Sequence, residues 1–249
     1  MTAADLDAPD PDGDVPAHRG DFLAEQRAMV RAAAVLDRSH RGVIAVPGDD
    51  RLSWLHLLLT QHVSELPDAA GTEALILDLN GRVLHHALVA HVDGTVWLDT
   101  EPGDVPVLLD YLEKMRFWSK VEPRDATGEL AVLSVVGPET AAVLAAAGVT
   151  APPEPYGSTA LPGGGLVRRM PWPGPDAADL LVPRAEKDAW LDRLTAAGAR
   201  AAGTTAFEAL RVEALAPRLH RDTDDRTIPH EVGWIPSACL LYTSPSPRD

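Results

Sequence analysis

The chain has 249 residues, of which 45% are hydrophobic and 24% charged, and a formal net charge of −15. That length buries a sizeable core, as one large domain or two small ones, and the acidic balance argues against a nucleic-acid groove, which needs clustered Lys and Arg. The single cysteine, Cys239, excludes an intrachain disulfide and a Cys-rich metal site, and no stretch approaches the roughly 20 consecutive apolar residues of a membrane span.

Residues 1–15 are rich in Asp and Pro and nearly devoid of bulky apolar side chains, the composition of a disordered tail. They lack the basic-then-apolar pattern of a signal peptide, so a cytoplasmic protein is expected. A helix is predicted over Asp21–Leu36, capped by Asp21, with Phe22, Leu23, Met29, Val30 and Ala33 on its apolar side. Val43–Val46 reads as a buried strand ended by Pro47-Gly48. Asp49 and Asp50 then offer N-cap oxygens to a helix reaching about Val63, with Leu52, Leu55, Leu58 and Leu59 inward. Ala74–Leu79 and Arg82–His91 read as strands joined by Asn80-Gly81, a strong signal for a type I′ hairpin turn. Asp93-Gly94 leads to a third strand at Thr95–Asp99, and a helix follows over about Asp104–Trp118.

The order then recurs: strand Leu130–Val136, an Ala-rich helix to about Ala147, a hairpin of Leu166–Met170 with Ala178–Val182, and a helix over Ala185–Ala197. Two passes of strand, helix, hairpin and helix predict an α+β fold of duplicated ferredoxin-like (split βαββαβ) units, about 40–128 and 129–203, within a domain spanning 16–238. The segment 204–238 begins with a helix, about Thr205–Leu215, and runs on into a polar stretch, LHRDTDDRTIPHEVGWI, a better place for a site than for a core. Residues 239–249, CLLYTSPSPRD, read as the in-frame translation of a transposon-type sequencing adapter, so genuine sequence is expected to end near Ala238 and Cys239 to carry no function.

Neither a G-x-S-x-G elbow nor a phosphate-cradling G-x-x-x-x-G-K-[ST] loop is present. Gly163-Gly164-Gly165 precedes a strand rather than a helix and reads as a loop. His85, His86 and His91 fall in one predicted strand, where His85 and His91 share a face and His86 points away. Zinc needs three or four convergent ligands, so no metal site is assigned. In Ala209–Ala214, Glu213 lies beside an apolar helical face. Its carboxylate either accepts two parallel N–H bonds from a pterin ring, a strong charge-assisted arrangement, or forms an ion pair with Arg211 or Arg218.

Three stretches carry a resemblance: the opening HRGDFLAEQRAMVRAAAVLDRSHRGVIAVPGDDRLSWLHLLLTQHVSELP, the hairpin Gly71–Asp99, and above all FEALRVEALAPRLHRDTDDRTIPHEVGWI. From about Val15 to Ala238 the chain resembles the folate-binding family that contains YgfZ and the glycine-cleavage T-protein. That resemblance implies two ferredoxin-like units plus a C-terminal β-barrel that is missing here, with tetrahydrofolate in a central channel. It makes Glu213 the pterin-contacting carboxylate, places Pro229 and Glu231 in a Pro-x-Glu loop, and adds Arg211 and Asp225 as further folate contacts. It also implies client iron–sulfur proteins as partners, including a tRNA-modifying enzyme. True T-proteins carry an Asp pair where this chain has His85 and His86. An imidazole does not replace a fixed negative charge beside a developing iminium, so the resemblance leans away from turnover. Two other readings stay open: a folate-dependent one-carbon transferase using His85 or His86, and a protein-interaction module without folate.

Overall fold

The computed structural model describes residues 12–174 and 176–234; the expectations for residues 1–11 and 239–249 lie outside them. Helix α1 (Phe22–Arg31) and strand β1 (Ala34–Asp37) lead into a first unit: β2 (Gly42–Pro47), α2 (Arg51–Leu58), β3 (Ala70–Leu77), β4 (Val83–Val92), β5 (Thr95–Thr100), α3 (Val105–Lys114) and β6 (Arg124–Asp125). The second unit repeats it as β7 (Leu130–Val136), α4 (Thr140–Ala146), β8 (Ser158–Ala160), β9 (Leu166–Met170), β10 (Ala177–Pro183), α5 (Lys187–Ala196) and β11 (Arg200–Ala202), and α6 (Thr204–Glu213) follows.

The two sheets run β3-β4-β5-β2-β6 and β8-β9-β10-β7-β1-β11. Their first four positions correspond strand for strand, so the duplication inferred from element order is present in the pairing itself. Each unit has a three-stranded meander where the expected split βαββαβ has two strands, the extra one (β3 or β8) sitting at the free edge. The second hairpin turn has positive φ at both central residues, Asp93 at +51° and Gly94 at +72°, but the type I′ turn expected at Asn80-Gly81 is not formed: only Gly81 is left-handed, at +78°, and the turn closes one residue earlier, with Gly81 N–H donating to the Asp78 carbonyl at 3.0 Å.

Alternation along the strands sorts the core into layers. Odd-numbered residues of β4 such as Ala87 and Val89 pack under α2 and α3, together with Trp54, Leu55 and Leu108. Ala131, Leu133 and Val135 of β7 pack under α4 and α5 with Leu144, Trp190 and Leu194. The opposite faces meet each other through Val43, Ala45, Ala90, Val132, Leu166 and Leu181. Helices α1 and α6 close one end, over Leu36, Val136, Met170 and Leu88.

Three expectations are corrected. Residues 34–36, expected to continue the first helix, form β1, which lies between β7 and β11; a short apolar run carries no periodicity of its own, and the two waiting strand edges decide it. On α1, Met29 is buried, but Phe22, Leu23 and Val30 are 49%, 56% and 55% exposed. The helix instead turns inward a carboxylate, Glu25, which accepts N–H bonds from Arg19 at 2.7 Å and Gly203 at 2.9 Å. Residues 12–15 belong to the fold, because Asp12 and Val15 are buried and Arg218 donates two bonds to the Asp12 carboxylate, at 2.6 and 2.7 Å.

Asp12 ends a buried ionic chain. Arg168 donates to Asp99 at 2.7 Å and to Asp179 at 2.8 Å. Arg41 bonds Asp99, and at 2.7 Å Glu101, whose other oxygen accepts from Arg218 at 2.7 Å. Arg38 joins through Ser134 and Asp179. Four guanidiniums (Arg38, Arg41, Arg168, Arg218) face four carboxylates (Asp12, Asp99, Glu101, Asp179), so the net charge of −15 resides outside this chain. Burial raises the Asp99 pKa, but the guanidiniums of Arg41, Arg168 and Arg38 outweigh it and bring it to about 2.

Candidate folate site

The strand β4 delivers its histidines as alternation dictates. His85 and His91 point to the helical layer and His86 to the opposite face. Each is tied to a neighbouring element. His85 Nδ1 lies 2.9 Å from Asp104 at the start of α3. His91 accepts from Arg51 of α2 and lies 3.0 Å from the Leu66 carbonyl through its other nitrogen. His86 Nε2 lies 2.6 Å from Glu73 on β3, and the Trp234 indole stacks on its ring at 5.0 Å with 13° between planes. His85 and His86 therefore each sit on a carboxylate supplied by another element, Asp104 and Glu73. Reading β4 alone could not reveal this, since Glu73 lies 13 residues upstream and Asp104 19 downstream. Among the described residues no three His, Cys, Asp or Glu side chains converge as a metal site.

Helix α6 divides its polar residues between two depressions. Arg211 turns inward and is fully engaged: it donates to Glu208 at 2.8 Å, to Asp222 at 2.6 Å and to the Ala216 carbonyl at 2.6 Å. Burial lowers its pKa, but the hydrogen bonds to Glu208 and Asp222 outweigh that and raise it. Arg218 is likewise held by Asp12, Glu101 and Glu208. Neither guanidinium pairs with Glu213, so the ion-pair alternative for that carboxylate is not what the chain adopts. Glu213 is exposed, at the last turn of α6, on the rim of a cleft of about 400 Å3. Met29, Val30, Val136 and Leu210 give that cleft an apolar floor, and Pro173, Gly174 and Asp176 wall it.

The other expected contacts lie elsewhere. Arg211 and Glu231 line a separate depression of about 430 Å3 with Leu215 and Val232. Glu231 accepts the N–H of Ile228 at 3.1 Å, so the Pro229–Glu231 loop is a turn capped by its own carboxylate. Asp225 is exposed on the same polar segment. The structure thus brings Arg211 and Glu231 together and leaves Glu213 on a different wall. The Tyr156 hydroxyl donates to the second oxygen of Glu73 at 3.0 Å, and burial together with the Glu73 carboxylate holds its pKa well above the usual phenol range.

Comparison with known proteins agrees with the fold. The aminomethyltransferase of Methylococcus capsulatus is 29% identical over 230 residues, covering 89% of this chain and 62% of that protein. That of Rubrobacter xylanophilus is 30% identical over 227 residues, covering 88% and 60%. The chain therefore spans about 60% of the length of these curated relatives. The crystal structure of glycine cleavage system aminomethyltransferase T from Bartonella henselae superposes with a TM-score of 0.79 at 21% identity, over 86% of this chain and 60% of that one, a likeness of fold. The family described as GCVT N-terminal domain matches residues 18–235, and the chain belongs to that family.

Proposed function

We propose that the chain binds tetrahydrofolate, with the pterin edge against Glu213 and the ring over the apolar floor of the neighbouring cleft. The observation that carries this reading is the state of Glu213. It is a carboxylate with no ion-pair partner among the described residues, at the mouth of an apolar cleft, while both nearby guanidiniums are engaged elsewhere. A carboxylate there accepts two parallel N–H bonds at once, and such charge-assisted bonds are each worth about 1.5–3 kcal/mol. Calorimetric titration of tetrahydrofolate tests it. Glu213→Gln is expected to weaken binding by roughly tenfold or more, and an unchanged affinity removes Glu213 from the site.

The proposed role is assistance in assembling or repairing iron–sulfur clusters in client proteins, a tRNA-modifying enzyme among them, in the cytoplasm. Its support is the resemblance to YgfZ-like proteins together with the replacement of the Asp pair by His85 and His86. The names of the relatives favour a second reading, aminomethyl or other one-carbon transfer. An assay for methylene-tetrahydrofolate formation separates the two: turnover that is lost in His86→Ala selects the transferase, and folate binding without turnover selects the assembly role.

A further inference from the structure

Helix α1 is covered on one side only. Glu25 and Met29 turn inward, and the Glu25 carboxylate is occupied by the amides of Arg19 and Gly203. Leu23 and Val30, each more than half exposed, are seven residues apart. That is two turns, so they stand one above the other on the outer side. Arg27 and Arg31 lie four and eight residues beyond Leu23 and flank the same stripe. Both are exposed, and neither side chain has a hydrogen bond or ion pair among the described residues. The opposite flank passes from Phe22 to Met29, which lines the cleft together with Val30 and Glu213. Asp21 caps the helix through the Ala24 amide at 3.1 Å. The outer stripe therefore carries apolar carbon and two unpaired positive charges, with no carboxylate of its own helix beside them.

Single exposed apolar side chains are ordinary on a protein surface, whereas contiguous ones mark contacts. Three of the eleven large apolar side chains exposed among the described residues belong to this ten-residue helix, and Val30 joins them to the apolar floor of the cleft. The helix is also firmly held. Met29 packs in the core with Leu36, Phe207 and Leu210, and the Ala32 carbonyl at the helix end accepts the Glu139 amide at 2.9 Å. A stripe presented on a fixed frame loses little freedom on binding. Its charge selects the occupant. The chain carries −15 overall, but exposed charges are screened beyond about 8 Å at physiological ionic strength. A partner at the stripe therefore meets Arg27 and Arg31 rather than the charge of the whole molecule, and charges at the edge of a contact fix partner and register.

We propose that α1 docks an acidic amphipathic helix of a partner protein, with apolar side chains laid on Leu23 and Val30 and carboxylates against Arg27 and Arg31. Apolar anchors at three- and four-residue spacing, as a helix presents them to a groove, match this stripe. The acids lie on one flank of the partner helix, because its other flank faces the cleft and Glu213. The surface is independent of what the cleft binds, so it stands or falls apart from the folate reading.

The test uses the full-length chain and two labelled helical peptides that share one leucine stripe, flanked on one side by glutamates in the first and by lysines in the second. In fluorescence anisotropy the glutamate peptide should bind wild type and weaken about tenfold or more between roughly 0.05 and 0.5 M salt. Leu23→Ser should weaken it about fivefold or more at low salt, and Arg27→Glu/Arg31→Glu should reverse the preference to the lysine peptide. Thermal melting confirms folding. If charge reversal in the last helical turn prevents it, Arg27→Gln/Arg31→Gln takes its place and should lose the first preference without gaining the second. Failure of the glutamate peptide to bind wild type, or equal binding by wild type and every variant, overturns the proposal. Binding to phosphatidylglycerol vesicles in place of the peptide also overturns it and makes α1 a membrane-surface helix. Self-association in sedimentation that Leu23→Ser abolishes overturns it too, and makes the occupant a second copy of this chain.

Discussion

Arg168 shows how much of this fold is settled by single charged side chains. It is fully buried, and one of its nitrogens donates to both Asp99 and Asp179. Its Nε and Nη1 have no partner among the described residues. A buried ion pair costs desolvation to form but far more to break, because removing one partner strands the other. Arg168→Met is therefore expected to destabilise the fold by about 3–5 kcal/mol in urea unfolding. Arg168→Met combined with Asp179→Leu should recover part of that loss, and a single variant as stable as wild type would contradict the assignment. None of this was legible in the sequence. LVRRM reads as a strand with two polar residues, and alternation says only that Arg168 and Arg169 face opposite ways. Asp99 lies 69 residues away, so no local pattern pairs them. Glu213 was singled out by the residues around it in α6, which lie on one stretch of sequence. Its exposure was not legible there, because exposure depends on α1 and on the turn after β9.

The segment after α6 behaves as an element although it has no regular structure. It lies against the Val83 end of β4 and the start of α3, held by Val83 N–H to the Thr227 carbonyl at 2.9 Å, by Trp234 on His86, and by His220 Nε2 at 3.7 Å from Asp104. The neighbouring Asp104 carboxylate raises the His220 pKa above its ordinary 6.5, against the opposing effect of burial. Burial raises the pKa of Asp104, but the imidazoles of His220 and His85 beside it bring it well below the carboxylate range. A group raised on folding contributes stability that is complete below its free value and fades as pH climbs through its folded value. The His220 clasp is thus present below about pH 6.5 and is lost above its raised folded value. Hydrogen exchange at the Val83 amide should accelerate between pH 6 and pH 8 beyond the intrinsic rate, and His220→Ala should remove that excess. An excess that survives the substitution would assign the effect to another group. At this scale the sequence spoke clearly at the Asp93-Gly94 turn and in the alternation along β4, whereas at Asn80-Gly81 it placed the hairpin but not the turn type. It failed at β1, where four residues were too few to show a period and a distant edge decided their conformation.

At the scale of the molecule, two copies of one topology lean face to face, and the closeness of that fit is set at few points. Gly71 is one of them. A Cβ built there would meet the Val89 carbonyl of β4 at 2.4 Å and the Tyr156 carbonyl of the second unit at 2.6 Å. Both contacts are backbone, which cannot swing aside as a side chain does. Nearby, Ser158 N–H bonds the Ala69 carbonyl at 2.9 Å, so β8 and the start of β3 are joined along the same line. A methyl group at position 71 must push β3 off β4 or push the Tyr156 loop away from the first sheet. Overpacking of this kind costs about 1–3 kcal/mol. The β3–β4 ladder runs in unbroken register from Ala70 opposite His91 to Ile76 opposite His85, whereas the Tyr156 loop is attached at fewer points, so the loop should give way. Gly71→Ala is therefore expected to lower the denaturant midpoint and to lengthen the Tyr156–Glu73 hydrogen bond without unpairing β3. The checks are a urea titration and amide exchange along β3. Faster exchange throughout β3 would mean that the hairpin yields first and that the two units are joined more firmly than either sheet is to itself.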